Sequence, residues 1–227
     1  MPTALVTGAG RGIGLATARA FIAQGWRVLA LDKQFGKEIA GERVDYDLTN
    51  LAGLPRLIGQ LGAIDTLVNN AGVLYCDPYD SIPEAHAAEI LTVNLRAPIA
   101  LIEALAPQMR TRRSGRIVNV GSVGAFTGHP DLWYGATKAA LLNITKSYAA
   151  DLGKDGVLVN AVAPGPTLTA MYEQLPQSRR DGVMRSVHAG RACTPEEVAR
   201  VILWLGTSSP EYVSGSTVDV NSGAYPR

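Results

Sequence analysis

Ala4-Leu5-Val6-Thr7-Gly8-Ala9-Gly10-Arg11-Gly12-Ile13-Gly14 is the stretch on which the fold turns. An apolar run gives way at once to a glycine-rich turn, and Leu15, Ala18, Phe21 and Ile22 follow at helical spacing, which reads as strand, turn, helix. Glycines belong in such a turn for two reasons. A tight turn needs positive φ, and a Cβ would keep the backbone away from a pyrophosphate at the helix N-terminus, where free N–H groups and the helix dipole attract anions. Gly8, Arg11, Gly12, Ile13 and Gly14 are therefore the expected phosphate cradle of a dinucleotide.

Beyond Gly25, Arg27-Val28-Leu29-Ala30-Leu31 reads as a second strand that ends in Asp32. An acidic residue about twenty positions past the glycines is placed to accept hydrogen bonds from the adenosine ribose hydroxyls. The same carboxylate repels a 2′-phosphate, so Asp32 points to NAD; Arg11 and Lys33 are the basic neighbours that leave NADP open. Only Gln34 to Gly41 is available for the next crossover helix, which must be a turn or two or absent. Asp47 and Leu48 then fall where a third strand, Val44-Asp45-Tyr46-Asp47, would end near the adenine, and a weak helix follows around Leu51 to Leu61.

Asp65-Thr66-Leu67-Val68 is a buried-type strand ending in Asn69-Asn70-Ala71-Gly72, and Asn70, Ala71 and Gly72 suit the crevice at the carboxyl ends of an open α/β sheet. Pro83 to Met109 reads as one long amphipathic helix in which Asn94 is the odd polar residue, either a tie from helix to backbone or a working amide. Further strands are expected at Arg116 to Val120, closed by Gly121-Ser122; at Val157 to Val162, ending in Ala163-Pro164-Gly165-Pro166; and at Thr217 to Val220. Thr194-Pro195-Glu196-Glu197 announces a helix running to Leu205. Thr169 to Val187 has no clean period and is expected to cover the site as a lid over about 168–190. Strands alternating with helices imply an α/β chain with a mainly parallel, doubly wound sheet and helices on both faces, one Rossmann-like domain over residues 1–227.

A length of 227 residues suits one α/β domain with a full core, and a net charge of +1 with interspersed signs gives no footprint for nucleic acid or an anionic membrane surface. Cys76 and Cys193 suggest no disulfide framework, no His/Cys cluster has metal spacing, and no uninterrupted apolar run reaches the eighteen or so residues of a span. The expectation is a soluble, cytoplasmic protein. Against that frame Tyr134-Gly135-Ala136-Thr137-Lys138 gains meaning. It opens an apolar-periodic segment running through Ala149, and four residues is a little over one helical turn, so the Tyr134 phenol and the Lys138 ammonium share a face. A phenol ionises near pH ~10, and a nearby positive charge favours the phenolate, moving it toward a value useful for proton exchange at neutral pH.

Six motifs in order, Thr7-Gly8-x-x-x-Gly12-x-Gly14, Asn69-Asn70-Ala71-Gly72, Asn94 within Val-Asn-Leu, Ser122 at a strand end, Tyr134-x-x-x-Lys138 and Pro164-Gly165 followed by Thr169, make the chain resemble the classical short-chain dehydrogenase/reductase (SDR) family over its whole length. The resemblance implies a seven-stranded sheet, a nicotinamide cofactor, a catalytic tetrad of Asn94, Ser122, Tyr134 and Lys138, contacts to the cofactor from Tyr134, Lys138, Pro164, Gly165, Thr167 and Thr169, with Lys138 on the nicotinamide ribose, and a homotetramer. It also carries departures: Ser122 to Tyr134 is one residue shorter than usual, the second crossover is truncated, and Thr137 replaces a common Ser. The substrate pocket expected from Val73, Leu74, Tyr75, Val123, Phe126, Trp133, Leu168, Met171, Tyr172 and Leu175 suits an apolar or cyclic alcohol or ketone, with His129 on its rim. Two other classes compete with an oxidoreductase: a non-catalytic dinucleotide-sensing module, and a lyase or dehalogenase on the same fold.

Overall fold

Side-chain alternation divides the core of this protein into two layers on either side of one sheet. The computed structural model describes residues 1–226. Its strands are β1 Thr3–Thr7, β2 Arg27–Asp32, β3 Glu42–Asp45, β4 Thr66–Asn69, β5 Gly115–Val120, β6 Val157–Pro164 and β7 Thr217–Val220. They form a seven-stranded parallel sheet in the order β3-β2-β1-β4-β5-β6-β7. Leu5, Leu29, Leu67, Ile117 and Val159 point to one side, and Ala4, Val6, Val28, Ala30, Val68, Val118 and Val162 to the other. The five inner strands β2, β1, β4, β5 and β6 are buried on both faces, which is why their runs read as mostly apolar, whereas the edge strands β3 and β7 are partly exposed.

Helices α1 Gly12–Ala23 and α8 Pro195–Thr207 cover the second side, with Phe21, Val198, Ile202 and Leu205 fully or almost fully buried there. On the first side lie α2 Leu54–Leu61, α4 Ala97–Arg112 and α5 Leu132–Leu152. Burying a leucine such as Leu101 or Leu105 contributes roughly 1.5–3 kcal/mol, so this packing, more than helix propensity, holds α4 in place. By length and composition residues 84–112 would pass for a membrane span, but half of that apolar window is spent inside the fold.

Two expectations change here. The long helix is interrupted: α3 Glu84–Leu91 runs into a π turn, Thr92–Arg96, before α4 begins. The segment expected to act as a lid is also more regular than its sequence suggested, with short helices α6 Ala170–Glu173 and α7 Gln177–Met184. The second crossover contains no helix; instead Phe35 and the buried Ala40 plug that face, and Arg43 lies 4.7 Å over the Phe35 ring. Strand order reverses between β1 and β4, so their carboxyl ends diverge into a crevice, the place where open α/β sheets bind ligands.

Candidate active site

That crevice is a cleft of about 670 Å³. At one end the glycine turn supplies its floor. Gly8 and Gly12 adopt φ of 65° and 55°, and a Cβ on Gly10 would lie 2.2 Å from the Gln34 carbonyl oxygen. Thr7 and Asn70 lock the turn to β4: the Asn70 and Ala71 N–H groups each donate to Thr7 Oγ1 at 3.0 Å, and Asn70 Nδ2 donates to the Thr7 carbonyl at 2.9 Å. Asp131 caps α5 and Thr194 caps α8, whereas no side chain caps α1, whose first residues Gly12 and Ile13 line the cleft. Uncapped N–H groups beside a cradle that a Cβ would fill are the fit that a dinucleotide pyrophosphate requires.

The remaining expected cofactor residues gather around this floor. Asp32 is held rigidly, Oδ2 accepting from the Gly10 N–H at 2.9 Å and Oδ1 from the Gln34 N–H at 3.1 Å. Asp47 accepts from the N–H and hydroxyl of Thr49, which keep its carboxyl below the usual range. Arg11, Asp32, Asp47, Leu48, Asn70, Ala71, Gly72, Pro164, Gly165, Thr167 and Thr169 all line the cleft. Gly14 does not. It sits beneath the turn, where a Cβ would fall 2.0 Å from the Gly8 carbonyl oxygen, so its work is packing. Lys33 is turned toward Glu89 at 3.3 Å, which leaves Arg11 as the freer cation at this end.

Ser122, Tyr134 and Lys138 converge farther along the same cleft. Lys138 is buried, donates to the Val120 carbonyl at 2.7 Å and stands 5.7 Å from the Tyr134 ring centroid; burial pulls its ammonium down to about 8. The Tyr134 phenol is pushed up, mainly by burial, with the Ser122 hydroxyl acting against it. The expected downward shift is therefore absent, because desolvation outweighs the local positive charge. Asn94 lies in the π turn, fully buried and off the cleft surface: Oδ1 accepts from the Val73 N–H at 2.8 Å and Nδ2 donates to the Val73 carbonyl at 2.9 Å. Its second donor contact, 3.4 Å to Thr137 Oγ1, joins the π turn to α5. Gly72 faces both groups, its Cβ position 3.4 Å from Asn94 Oδ1 and 3.5 Å from Lys138 Nζ.

Asp131, His129 and Arg179 were not given working roles by the sequence. Asp131 is 5% exposed, caps α5 by accepting from the Tyr134 N–H at 2.9 Å, and accepts from the Tyr75 N–H at 3.2 Å. An acidic residue three positions before the tyrosine was the available signal. His129 and Arg179 line the cleft with Val73, Leu74, Tyr75, Val123, Met171, Tyr172 and Leu175. Three residues expected there do not. Phe126 stacks on Tyr225 with centroids 5.6 Å apart, Leu168 is 51% exposed, and Trp133, on the first turn of α5, is not among the residues lining the cleft. The tightened loop is accommodated by glycine: Cβ atoms on Gly124 and Gly135 would come within 2.6 and 2.7 Å of His129.

Residues 8–225 match a family model described as enoyl-(acyl carrier protein) reductase. The 3-oxoacyl-[acyl-carrier-protein] reductase FabG of Thermotoga maritima is 34% identical, with 96% of each chain covered. Galactitol 2-dehydrogenase of Agrobacterium fabrum is 32% identical over 97% of this chain and 96% of its own. A crystal structure from Beutenbergia cavernae, provisionally assigned as an NAD(P)-dependent gluconate 5-dehydrogenase and holding NADP at low occupancy, superposes with a TM-score of 0.92 at 33% identity over 98% of this chain and 96% of that one. With the fold, the crevice and these relatives in agreement, the chain belongs to the classical short-chain dehydrogenase/reductase family of oxidoreductases.

Proposed function

We propose that this protein interconverts an alcohol and a ketone with NAD as its preferred cofactor, through Tyr134, Ser122 and Lys138. The observation that carries this reading is their convergence in one cleft with the uncapped glycine turn. A bound nicotinamide dinucleotide supplies or accepts the hydride. Gly8, Arg11, Gly12 and Ile13 would hold its phosphates, Asp32 its adenosine ribose, and Thr167 and Thr169 its opposite end. The Tyr134 phenolic oxygen, as phenolate, takes the carbinol proton during oxidation and returns it during reduction. Ser122 donates a hydrogen bond to the same substrate oxygen as its charge changes. Lys138 holds positive charge beside the phenol, and Asn94 fixes the Gly72-Val73 backbone against which Lys138 packs, so that water there relays the proton outward.

Asp32 supports NAD because a fixed carboxylate opposes a 2′-phosphate, and Lys33 is engaged by Glu89. The NADP held by the Beutenbergia cavernae structure argues the other way. Kinetics with both cofactors decide: NAD should give the higher kcat/KM, and Asp32→Ala should relax the preference toward NADP. A wild-type preference for NADP would show that Arg11 prevails.

The central test is nicotinamide absorbance on mixing the protein with a panel of alcohols and ketones. Turnover is expected, and Tyr134→Phe should remove nearly all of it, a loss of at least about a hundredfold, with cofactor affinity retained. Full activity in Tyr134→Phe would overturn the acid/base role, and tight NADH binding with no turnover on any substrate would favour a sensing module. The intact glycine turn stands against the lyase and dehalogenase reading.

A further inference from the structure

Arg179, the third residue of α7, reaches from the lid to His129, its Nη2 lying 3.2 Å from Nε2. That imidazole is fixed on every side. Gly124 and Gly135 give it space, its Nδ1 lies 3.0 Å from the Asp131 carbonyl oxygen, and its ring centroid is 4.9 Å from that of Tyr134. Nδ1 also lies 3.2 Å from the Asp131 nitrogen; because a guanidinium can only donate, Nε2 is the bare nitrogen, Nδ1 carries the hydrogen toward the Asp131 carbonyl, and Arg179 donates to a neutral histidine. Burial holds this histidine below its ordinary value, which favours the neutral ring.

A guanidinium has five N–H donors, and here one is used, on an uncharged acceptor. Among the described residues no carboxylate forms an ion pair with Arg179, whereas Arg180 bonds Gln177 at 2.6 Å and Arg191 pairs with Glu197 at 2.7 Å. The cleft that it lines also presents Val73, Leu74, Val123, Met171 and Leu175, with Thr127, Gln174 and Ser186 as uncharged polar members and no carboxylate among the lid residues that line it. A partly desolvated cation among such walls is offset only when an anion meets it.

We propose that Arg179 is a specificity-determining residue that pairs with a carboxylate of the substrate, which is therefore a short oxo or hydroxy acid with an apolar remainder. The proposal rests on the oxidoreductase reading above and narrows its substrate class. His129 sets the reach: one imidazole separates the Tyr134 ring from the guanidinium, so carboxylate and carbinol lie within a few bonds of each other.

The test uses the wild-type protein with NADH and, separately, NADPH, on 2-, 3- and 4-oxo acids of four to six carbons, each against its methyl ester. At least one acid should exceed its ester in kcat/KM by about tenfold to a hundredfold, the range of a charge-assisted hydrogen bond. Arg179→Leu should collapse that ratio by at least tenfold, chiefly through KM, and Arg179→Lys should restore part of it. Butyrate should inhibit ester reduction competitively in the wild type more strongly than in Arg179→Leu, a readout of binding apart from turnover of the acid. Equal use of acids and esters, a preference for acetoacetyl-CoA over acetoacetate, or an unchanged ratio in Arg179→Leu would overturn the proposal while leaving the oxidoreductase reading intact. No turnover of any acid, ester or thioester would bring down both.

Discussion

Lys138 is a buried cation whose hydrogen bond goes to a neutral carbonyl, so the fold bears a cost for it. Its folded value is about 8 against an ordinary 10.5. Below about pH 8 both folded and unfolded chains hold the proton and the cost is fully present. Between about 8 and 10.5 the unfolded chain holds more protons than the folded one, so this group makes stability rise with pH. Lys138→Met should therefore be more stable than the wild type at pH 7, by roughly 1–3 kcal/mol, and should lose the alkaline rise, while turnover falls away. Urea unfolding at pH 7 and in the alkaline range, without added cofactor, measures both effects. The spacing of Tyr134 and Lys138 was legible because helical geometry is local. The direction of the phenol's shift was not, because desolvation of Tyr134 depends on loops that close over it from elsewhere in the chain.

At the level of elements, the N-terminus of α5 is where the loop around Tyr75 meets the proposed proton-transfer group Tyr134. Asp131 caps the helix and also holds the residue 75 loop, and its charge raises the Tyr134 phenol. Asp131→Ala should cost about 1–2 kcal/mol in stability and shift the Tyr134-governed limb of the kcat–pH profile toward acid. Asp131→Ser should recover much of the stability, since serine also caps, yet keep the displaced profile. An unmoved profile in both variants would leave Asp131 a purely structural cap. The π turn at Thr92–Arg96 escaped the sequence because apolar positions continue through it; only Asn94 marked the place. The Arg179 to His129 contact joins two segments with no periodicity of their own, so no local pattern could announce it. The N-cap of α8 was plain, because its signal lies within one turn, and the structure completes it as a capping box between Thr194 and Glu197.

For the whole molecule, the strand–helix alternation specified the layered architecture, and continuous apolar runs such as Ala4 to Val6 and Val28 to Leu31 marked strands buried on both faces. Register and strand order come from pairings between distant segments, such as Val6 beside Val68 and Asn69 beside Asn119, and these are invisible to local reading. The SDR resemblance implies a tetramer as an expectation, with the helical stretches Glu84 to Met109 and Leu141 to Leu152 as the faces expected to meet other copies. Light scattering should return a mass four times that of the 24.0 kDa chain. A mass of one chain across the micromolar range would remove that assembly.

The missing helix between β2 and β3 has a practical outcome. With only Phe35 and Ala40 standing in for it, the purine end of a dinucleotide bound as proposed would border a bare sheet edge. A spacer grafted onto that base has somewhere to go, so a purine-coupled resin is a natural means of capturing the protein, with free dinucleotide to release it.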